Sequence, residues 1–383
     1  MKVAFVGRVL GEDYWGGERR IALQVFRLLG EMGAEPIAFH CYRRSYEQLQ
    51  QMIAHIAWDL DPLAVRNYIS FLRKTKPDVV LGWYDRDTSL VYACSRLGVP
   101  LVLTAHVYWQ CPIRSLTFQG TEKFCGGPQL YCGIDVLRRR GFGSVSFLGP
   151  FFGRILLESF RRKLARVNDH VSCIIACSDF MRSTLERDGF RNVRVVHNGI
   201  DPRLYDSQIL QRDPLVLFSG QTTPLKGFPD FLTMAKLVRA DFPQSKFAFT
   251  GGRRRMIEGV EGLGFISDPE MRKLYSKSAL LVFPSTWQEP FGLVVTEAMA
   301  SGTPVVAYRS GAVPEIVIDR ETGFLVERGD VEQLSRSVLH LLKNPDLAAR
   351  MGKAARRTVE ENFDIRETAS KYLEVLSNAA ARG

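Results

Sequence analysis

The fold is decided by residues 279–297, which read Ala-Leu-Leu-Val-Phe-Pro-Ser-Thr-Trp-Gln-Glu-Pro-Phe-Gly-Leu-Val-Val-Thr-Glu. Residues 279–285 form an apolar run that stops at small polar residues, which is typical of a strand buried on both faces of a parallel sheet. From Gly292 onward the apolar residues follow helical spacing, and Gly302 supplies a stop signal. The stretch therefore predicts a strand, a turn and a helix.

The turn between this strand and this helix combines an anion site with two carboxylates. The first amides of a helix have no partners inside it, and the helix dipole adds about half a positive charge, so a diphosphate fits there. Glu289 lies in the turn and Glu297 in the second helical turn, where carboxylates suit the hydroxyls of a sugar and a ribose. A capping Glu beside a solvated Glu is the alternative. The amides concerned are those of Phe291, Gly292, Leu293 and Val294.

A longer stretch, from Gly264 to Gly323, resembles a known family. It contains Glu-Pro-Phe-Gly-Leu-Val-Val-Thr-Glu-Ala-Met-Ala-Ser-Gly-Thr-Pro-Val-Val-Ala at 289–307 and Ser-Gly-Ala-Val-Pro-Glu at 310–315. Both motifs look like the donor half of the retaining glycosyltransferases of family 4. The resemblance implies the GT-B fold, in which two Rossmann-like α/β domains with doubly wound parallel sheets face a cleft. It also implies metal-independent, retaining transfer of a hexose-type sugar from a nucleotide diphosphate sugar to an acceptor hydroxyl, in polysaccharide or glycolipid assembly and without a cofactor.

The whole chain alternates short apolar strands with helical stretches, which independently predicts two doubly wound sheets with a cleft between their strand ends. A polar linker, Asp201 to Asp213, separates the two series of strands. We therefore predict an acceptor-side domain at residues 1–205, a donor domain at 206–362 and a last helix at 363–383, which in the family crosses back to the first domain. The predicted strands are Val3–Gly7, Pro36–Cys41, Asp78–Trp83, Pro100–Ala105, Ser172–Ser178 and Val193–Asn198, followed by Leu215–Gly220, Lys246–Gly251, Leu263–Ile266, Ala279–Ser285, Pro304–Tyr308 and Gly323–Val326.

The composition is that of an ordinary globular protein. The chain has 383 residues, of which 46% are apolar and 24% charged, enough for two cores. The amino terminus, Met1 to Arg8, has too short an apolar stretch for a signal peptide, and no run approaches a membrane span, so we expect a cytoplasmic protein. The seven cysteines are scattered and odd in number, which suits reduced thiols better than a disulfide framework.

Positive charge is concentrated at residues 138–166, which contain seven Arg and one Lys and only one acidic residue, Glu158. Phenylalanines and leucines are interleaved with these cations, as in a basic amphipathic helix. Such a segment can lie on an anionic membrane surface and bring the protein to a lipid-linked acceptor. A helix that covers the sheet with a solvated basic face is an equally open alternative. Nucleic acid is disfavoured, because no recognised binding motif accompanies the basic residues.

Lys226 and Gln221 follow the first strand predicted for the second domain. A cation there would face the diphosphate and stabilise the charge that develops on the leaving nucleotide, although a Lys at a helix start is often simply solvated. In the family, this loop carries an Arg directly after the Gly and then the Lys, and both contact the diphosphate. Gln221 replaces that Arg in this chain.

Two further candidate groups lie in the first half of the chain. Gly16 and Gly17 follow the first strand by a loop and free backbone amides for approach to a phosphate, as the matching loop of the family does, although an isolated Gly-Gly is often merely a turn. His106 ends a buried strand. The similarity to the family's strand-end His implies contact with the donor sugar and the acceptor side, whereas the alternative is a structural His.

Metal sites are the weaker interpretation of the remaining residues. Cys111, Cys125 and Cys132 could bind zinc, but their gaps lack the tight Cys-x2-Cys spacing, and recognition of the carbohydrate or lipid-linked acceptor suits that loop better. The pairs Asp59–Asp61 and Asp85–Asp87 match an Asp-x-Asp metal motif, but each stands ahead of a helical stretch, where Asp is a good cap. We therefore expect no catalytic metal.

Ile266 lies in a loop that resembles the segment through which the family contacts the nucleobase. Because that contact runs mainly through backbone atoms, the sequence does not separate UDP, GDP and ADP sugars. Two other functions stay open: a GT-B nucleotide-sugar epimerase, and a non-catalytic protein that binds nucleotide sugars.

Overall fold

The computed structural model describes residues 1–7, 16–40, 61–83, 88–108, 132, 134, 147–206 and 212–382. These residues form two compact units. The first unit comprises Met1–His197 and Arg366–Gly383, and the second comprises Asn198–Ile365. Each unit has its own sheet, with helices connecting the strands.

The first unit is built on a six-stranded parallel sheet with the strand order β2-β1-β3-β4-β5-β6. Strands β3 and β4 are buried along their whole length, as expected for a sheet with helices on both faces. The strands are β1 (Lys2–Val6), β2 (Glu35–Phe39), β3 (Val79–Trp83), β4 (Leu101–Ala105), β5 (Cys173–Ala176) and β6 (Val193–Val195). The described helices are α1 (Gly17–Glu31), α2 (Pro62–Thr75), α3 (Thr88–Leu97), α4 (Gly149–His170) and α5 (Asp179–Arg187).

The second unit is built on a seven-stranded sheet with the order β13-β12-β11-β7-β8-β10-β9. The strands are β7 (Asp213–Ser219), β8 (Lys246–Thr250), β9 (Arg255–Ile257), β10 (Val260–Gly262), β11 (Ser278–Phe283), β12 (Val305–Tyr308) and β13 (Gly323–Val326). The helices are α6 (Phe228–Asp241), α7 (Asp268–Lys277), α8 (Leu293–Ala300), α9 (Val313–Ile316), α10 (Val331–Lys343) and α11 (Pro345–Asn362), with short 3-10 turns at Pro202–Leu204 and Pro224–Lys226.

The last helix, α12 (Ile365–Ala380), belongs to the first unit apart from its first residue. The hydroxyl of Thr368 donates to the carbonyl oxygen of His197 at 3.0 Å. Two ion pairs, Arg366–Glu31 at 3.9 Å and Arg194–Glu374 at 3.7 Å, lie beside it. The end of the chain is thus fixed to the unit in which the chain begins.

The structure confirms the predicted α/β fold and corrects one predicted strand. Leu263–Ile266 is not a strand; the chain instead forms an antiparallel hairpin from β9 and β10 and leaves the sheet after Gly262. Glu258 and Gly259 both have positive φ, 49° and 76°, as in a two-residue hairpin turn. Gly264, with φ of 77°, then bends the chain away. The apolar residues at 263–266 gave the sequence pattern of a strand, but the glycines decided where the strand ends.

The strand orders also give each unit a point at which the direction of winding reverses. In sheets of this kind, ligands sit at the carboxyl ends of the strands where the direction of winding reverses. That reversal falls between β1 and β3 in the first unit and between β7 and β11 in the second. Helices in the described part of the chain all fall short of the combined length and hydropathy needed to cross a bilayer.

Candidate functional site

Glu289 is the centre of the candidate site in the second unit. It lies in the turn between β11 and α8 and is 5% exposed. Its Oε1 accepts hydrogen bonds from Lys226 Nζ and from Ser285 Oγ, each at 2.7 Å. Lys226 Nζ also lies 4.4 Å from the centroid of the Trp287 ring, within cation–π range. The sequence-predicted cation and carboxylate are therefore brought into direct contact.

The turn that carries Glu289 is held by its backbone. The amide of Ala312 donates to the carbonyl oxygen of Glu289 at 2.9 Å, and the amide of Gly311 donates to Gln288 Oε1 at 2.6 Å. Gly311 has φ of 56°, and a Cβ there would overlap the Glu289 backbone. Gly227 has φ of 72°, and a Cβ there would likewise overlap the carbonyl oxygen of Pro284. Only glycine permits these two approaches.

Helix α8 begins directly after the turn, as predicted. Gly292 stands at its N-cap with φ of 135°, and no side chain caps it. Within the described residues, the amides of Gly292, Leu293 and Val294 have no hydrogen-bond partner, and these residues are half-buried. Such amides at the positive end of a helix can bind an anion. Phe291 is buried and packs edge-on against Phe363.

The other end of α8 is fixed by two arginines. Arg212 donates to the carbonyl oxygen of Ser301 at 2.7 Å and to Thr303 Oγ1 at 2.6 Å. Arg356 donates to the carbonyl oxygen of Ala300. Cations at the negative end of a helix satisfy its last carbonyl groups. The position of the amides at the opposite end is therefore well determined.

Glu297 projects from α8 into a buried polar cluster. It is 5% exposed, and its Oε2 accepts from the hydroxyl of Tyr275 at 3.2 Å. The same hydroxyl lies 3.3 Å from Ser219 Oγ, which in turn accepts from Thr250 Oγ1 at 3.2 Å. Burial, with the nearby Glu297 charge as the second cause, raises the pKa of Tyr275 well above its usual value. Tyr275 therefore stays protonated and remains a donor to Glu297.

Gln221 and Ile266 lie in neighbouring loops at the same end of the sheet. Gln221 is exposed after β7, and Ile266 is half-buried beyond β10. The amide of Gly251 donates to the carbonyl oxygen of Gly264 at 2.9 Å, which holds the loops after β8 and β10 together. Phe265 is 92% exposed beside them.

In the first unit, His106 follows the end of β4 and is 8% exposed. Burial lowers its pKa to about 3, so the imidazole is neutral near pH 7. Its ring stacks on Trp83, with centroids 4.8 Å apart and planes at 20°. Gly16 and Gly17 lie at the start of α1, and Gly16 has φ of 146° with open space where a Cβ would be. The predicted groups of the two halves thus lie in different units.

The candidate metal ligands are described only in part. Asp61 caps α2 by accepting from the amides of Leu63 and Ala64, at 3.0 and 3.2 Å. Capping therefore accounts for this carboxylate, as predicted. Asp59, Asp85 and Asp87 lie outside the described residues, as do Cys111 and Cys125, whereas Cys132 is described and is not disulfide-bonded.

Several residues of the site were not singled out from the sequence. They act through contacts between segments distant along the chain, and the sequence pattern contains no sign of such contacts. In the sequence, Tyr275 is spaced like an ordinary core residue of α7, and Trp287 is simply an aromatic residue in a turn. These residues are Ser219, Gly227, Tyr275, Ser285, Trp287, Gln288 and Gly311.

Two family models match the chain. The one described as "Glycosyl transferases group 1" matches residues 205–358, and the one described as "Glycosyltransferase Family 4" matches residues 15–204. Among curated relatives, a phosphatidyl-myo-inositol mannosyltransferase of Propionibacterium freudenreichii is 32% identical over 206 residues, covering 50% of this chain and 54% of the relative. A glycogen synthase of Mycobacterium tuberculosis is 28% identical over 230 residues, covering 55% of each chain. The chain spans about half the length of the curated relatives it matches.

Solved structures share the fold over the whole chain. A sucrose-phosphate synthase from Thermosynechococcus elongatus has a TM-score of 0.73 at 18% identity and covers 100% of both chains. HepE from Anabaena in complex with UDP has a TM-score of 0.69 at 19% identity and covers 99% of this chain and 100% of that one. At this level of identity the likeness concerns the fold alone.

Proposed function

Because the chain belongs to the group 1, family 4 glycosyltransferases and has their GT-B fold, we propose that it transfers a sugar from a nucleotide diphosphate sugar to an acceptor hydroxyl. The sugar is of the hexose type, and the acceptor is a carbohydrate or a lipid-linked glycan. Relatives named as a mannosyltransferase and a glycogen synthase support this class of reaction. Structures of HepE in complex with UDP and with UDP-glucose make UDP sugars the first donors to test.

The observation that carries the proposal is the Lys226–Glu289 pair beside the open amides of α8. The pair is largely buried, with a nitrogen–oxygen distance of 2.7 Å, and lies where the winding of the sheet reverses. A buried ion pair is not an efficient way to stabilise a fold, since apolar residues of similar volume do as well. A cation, a carboxylate and free amides at one strand end do, however, match a sugar diphosphate.

The proposed roles follow from the chemistry of each group. The amides of Gly292, Leu293 and Val294 would bind the diphosphate, and Lys226 would neutralise the charge that develops on it as the glycosidic bond breaks. Glu289 would accept from hydroxyls of the donor sugar and Glu297 from those of the ribose. His106, neutral in its buried position, would hydrogen-bond the sugar or the acceptor rather than carry a proton between them.

The test of the function is a panel of UDP, GDP and ADP sugars mixed with the protein in the absence of acceptor. We expect slow release of one nucleotide diphosphate, whose base identifies the donor, and faster release when a matching acceptor is added. Binding without release would support a non-catalytic binder. Conversion of the sugar to its epimer would support the nucleotide-sugar epimerase instead.

Retention and metal independence are part of the proposal and have separate tests. Family membership supports retention, so an α-linked donor should give an α-linked product in the NMR spectrum of the reaction mixture. The capping role of Asp61 removes one residue from the candidate metal ligands and supports metal independence. The rate should be the same with excess EDTA as with added Mg²⁺ or Mn²⁺. An inverted product, or a rate that EDTA abolishes, would contradict these two parts.

We further propose that the first unit lies on the cytoplasmic face of an anionic membrane, as a peripheral protein. Helix α4 carries Arg154, Arg161 and Arg162 as exposed cations, and Phe147 and Phe151 beside its start are 75% and 64% exposed. Exposed aromatic rings next to cations suit a bilayer interface. Helix α3 packs between α4 and α2. A groove of about 760 Å³ along α2 and the end of α3 is lined by four cations and, among its described lining residues, no carboxylate: Arg66, Arg73, Lys74 and Arg96.

Sedimentation with vesicles tests the membrane proposal. Replacing Arg161, Arg162 and Lys163 by Ser removes three charges, and we expect binding to vesicles that contain anionic lipid to fall about 100-fold, since each cation contributes about 1 kcal/mol. The matched control replaces Arg350, Lys353 and Arg357, three exposed cations on α11 of the second unit. Equal binding by the wild-type chain and the α4 variant would remove the membrane proposal.

A further inference from the structure

Trp83 connects His106 to the last helix. Its ring, fully buried at the end of β3, stacks on His106 with centroids 4.8 Å apart and on Tyr372 of α12 with centroids 5.5 Å apart. The planes of these two pairs are inclined by 20° and 18°. Phe5 of β1 stacks on the same indole at 5.4 Å. Two strand ends and the last helix thus meet at one aromatic stack.

The stack keeps three polar atoms away from water. His106 Nε2, Trp83 Nε1 and the Tyr372 hydroxyl are buried, and none has a hydrogen-bond partner among the described residues. Burying such groups without a partner is unfavourable, and Phe or Leu would pack a core without this penalty. Packing alone therefore gives no reason for an imidazole at position 106 in this stack. Trp83 stands at the end of β3, one of the two strands between which the sheet of the first unit reverses its winding.

Tyr372 also lies near the start of α1. Among the described residues, the thiol of Cys177 and the carboxylate of Glu18, which follows Gly16 and Gly17, act on the Tyr372 hydroxyl and, after burial, raise its pKa. The helix that carries Tyr372 is fixed to the unit by the bond from Thr368 to His197. The ring of Tyr372 consequently has a determined position next to both predicted ligand-binding segments of this unit.

We propose that Trp83 and Tyr372 are positioning residues for His106, so that the last helix sets the orientation of the imidazole that contacts the sugar or the acceptor. This inference rests on the proposed function for what His106 contacts. The faces of the indole restrict rotation of the imidazole, and Tyr372 holds the indole in place. Without the Tyr372 ring, the indole can tilt, water can enter and the imidazole of His106 loses its fixed orientation.

The main variants are Tyr372→Leu and Tyr372→Phe. With Tyr372→Leu we expect kcat to fall roughly 10- to 100-fold, as small misplacements of a catalytic group do, with KM for the donor within about 3-fold. Tyr372→Phe keeps the ring and should retain kcat within about 3-fold. The matched control is Tyr68→Leu, because Tyr68 is another buried tyrosine on a helix of the same unit, 2% exposed, and lies outside the stack. It should lower the melting temperature without a selective loss of kcat.

A second readout does not depend on activity. The Cε1 signal of His106, labelled with ¹³C and assigned with His106→Gln, should not titrate between pH 5 and 8 in the wild-type chain. In Tyr372→Leu it should titrate with a midpoint displaced toward about 6.5, because the ring becomes hydrated. Tyr68→Leu should leave it unchanged. If Tyr372→Leu does not fold, Trp83→Phe, which keeps a smaller ring in the stack, should show both effects in weaker form.

The outcomes separate the two proposals. If the wild-type chain releases no nucleotide from any donor, the proposed function fails, while the titration of His106 still decides whether the stack holds the imidazole. The positioning role is wrong if kcat falls no further in Tyr372→Leu than in Tyr68→Leu at the same folded fraction. It is also wrong if His106 in Tyr372→Leu still does not titrate between pH 5 and 8.

Discussion

At Glu289, three segments of the second unit meet one residue. Lys226 and Ser285 donate to its carboxylate, while the amide of Ala312 donates to its carbonyl oxygen. A buried carboxylate requires such donors, because its desolvation is otherwise very costly. The contacts that make the burial possible also fix the direction of the carboxylate, so stability and the proposed ligand binding depend on the same atoms.

Replacement of Lys226 by Ala tests its proposed contact with the diphosphate. We expect kcat/KM for the donor to fall about 100- to 1000-fold, since a positioned charge that stabilises the leaving group is lost. The free energy of unfolding should fall by about 1–3 kcal/mol, because Glu289 loses one of its donors. Steady-state kinetics and urea unfolding measure the two effects. Lys236→Ala, which removes an exposed lysine from α6, is the matched control and should leave both unchanged.

A double variant separates the two roles of Lys226. Adding Glu289→Gln to Lys226→Ala removes the uncompensated charge and should restore much of the lost stability. It should not restore turnover, because the diphosphate still lacks its cation. Recovery of turnover in the double variant would show that Lys226 acts only by stabilising the carboxylate of Glu289, without a contact to the diphosphate.

The buried imidazole of His106 predicts a pH dependence of stability. Its pKa is lowered from 6.5 to about 3 in the folded chain, so between these values the unfolded chain binds the additional proton. Stability therefore falls as the pH falls through 6.5, by about 1 kcal/mol between pH 6.5 and 5.5. His106→Gln should lack this contribution.

Urea unfolding followed by tryptophan fluorescence measures this slope for the first unit. Trp287 is the only tryptophan of the sequence in the second unit, so a Trp287→Phe background confines the signal to the first unit. Identical slopes for His106→Gln and its parent between pH 7 and 5.5 would show that His106 is not held neutral by burial.

The element that matters most is the strand, turn and helix from β11 to α8. The strand ends at Phe283, the helix starts at Leu293, and the residues between them are held by contacts with residues 224–227 and 310–312. Two glycines make those contacts possible by approaching the turn more closely than any side chain would permit. The geometry of the turn is therefore a property of three segments together.

Gly311→Ala tests this dependence. Its Cβ would overlap the Glu289 backbone, and φ of 56° is unfavourable for alanine, so we expect a loss of more than about 2 kcal/mol and weaker donor binding. Gly329→Ala is the control, because Gly329 has φ of 85° with open space around it and should lose only about 1 kcal/mol. Thermal unfolding and donor titration measure both variants. Equal losses of stability in the two variants would mean that the close approach of Gly311 to Glu289 does not contribute to the free energy of unfolding.

At the scale of the whole molecule, the chain returns to its first unit at the end. The buried residues Tyr372, Val375 and Leu376 of α12 pack in the unit that begins at Met1. Burial of three such side chains contributes roughly 6 kcal/mol, which is comparable to the total stability of many domains. The first unit is therefore a structure formed by two separate parts of the chain.

Deletion of residues 366–383 should accordingly unfold the first unit and spare the second. Limited proteolysis followed by mass spectrometry should show rapid cleavage within residues 1–197 and a protected fragment from the second unit. A chain shortened only by its last residues, 381–383, should resist proteolysis like the full chain, because those residues follow the end of α12. Protection of both units in the longer deletion would contradict the structural role of α12.

Local sequence patterns determined the family, the α/β fold and the order of the elements. Eleven of the twelve predicted strands lie within three residues of an observed strand, because apolar runs and turn residues act over a few positions. The error at Leu263–Ile266 arose where glycines with positive φ overrode an apolar run. The sequence also placed Lys226 and Glu289 each after the end of a strand, with separate roles, and the structure brings them into contact.

Tertiary structure alone decided which side chains meet. The sequence could not place Tyr275 against Glu297, Gly311 against Glu289, or Tyr372 against Trp83, because each pair joins residues whose separation along the chain bears no relation to their distance in space. Nor could it show that His106 is neutral, since burial by the surrounding residues sets that pKa. Local propensity determines which segments become helices and strands. Packing between remote segments determines the side-chain contacts, protonation states and orientations on which chemistry depends.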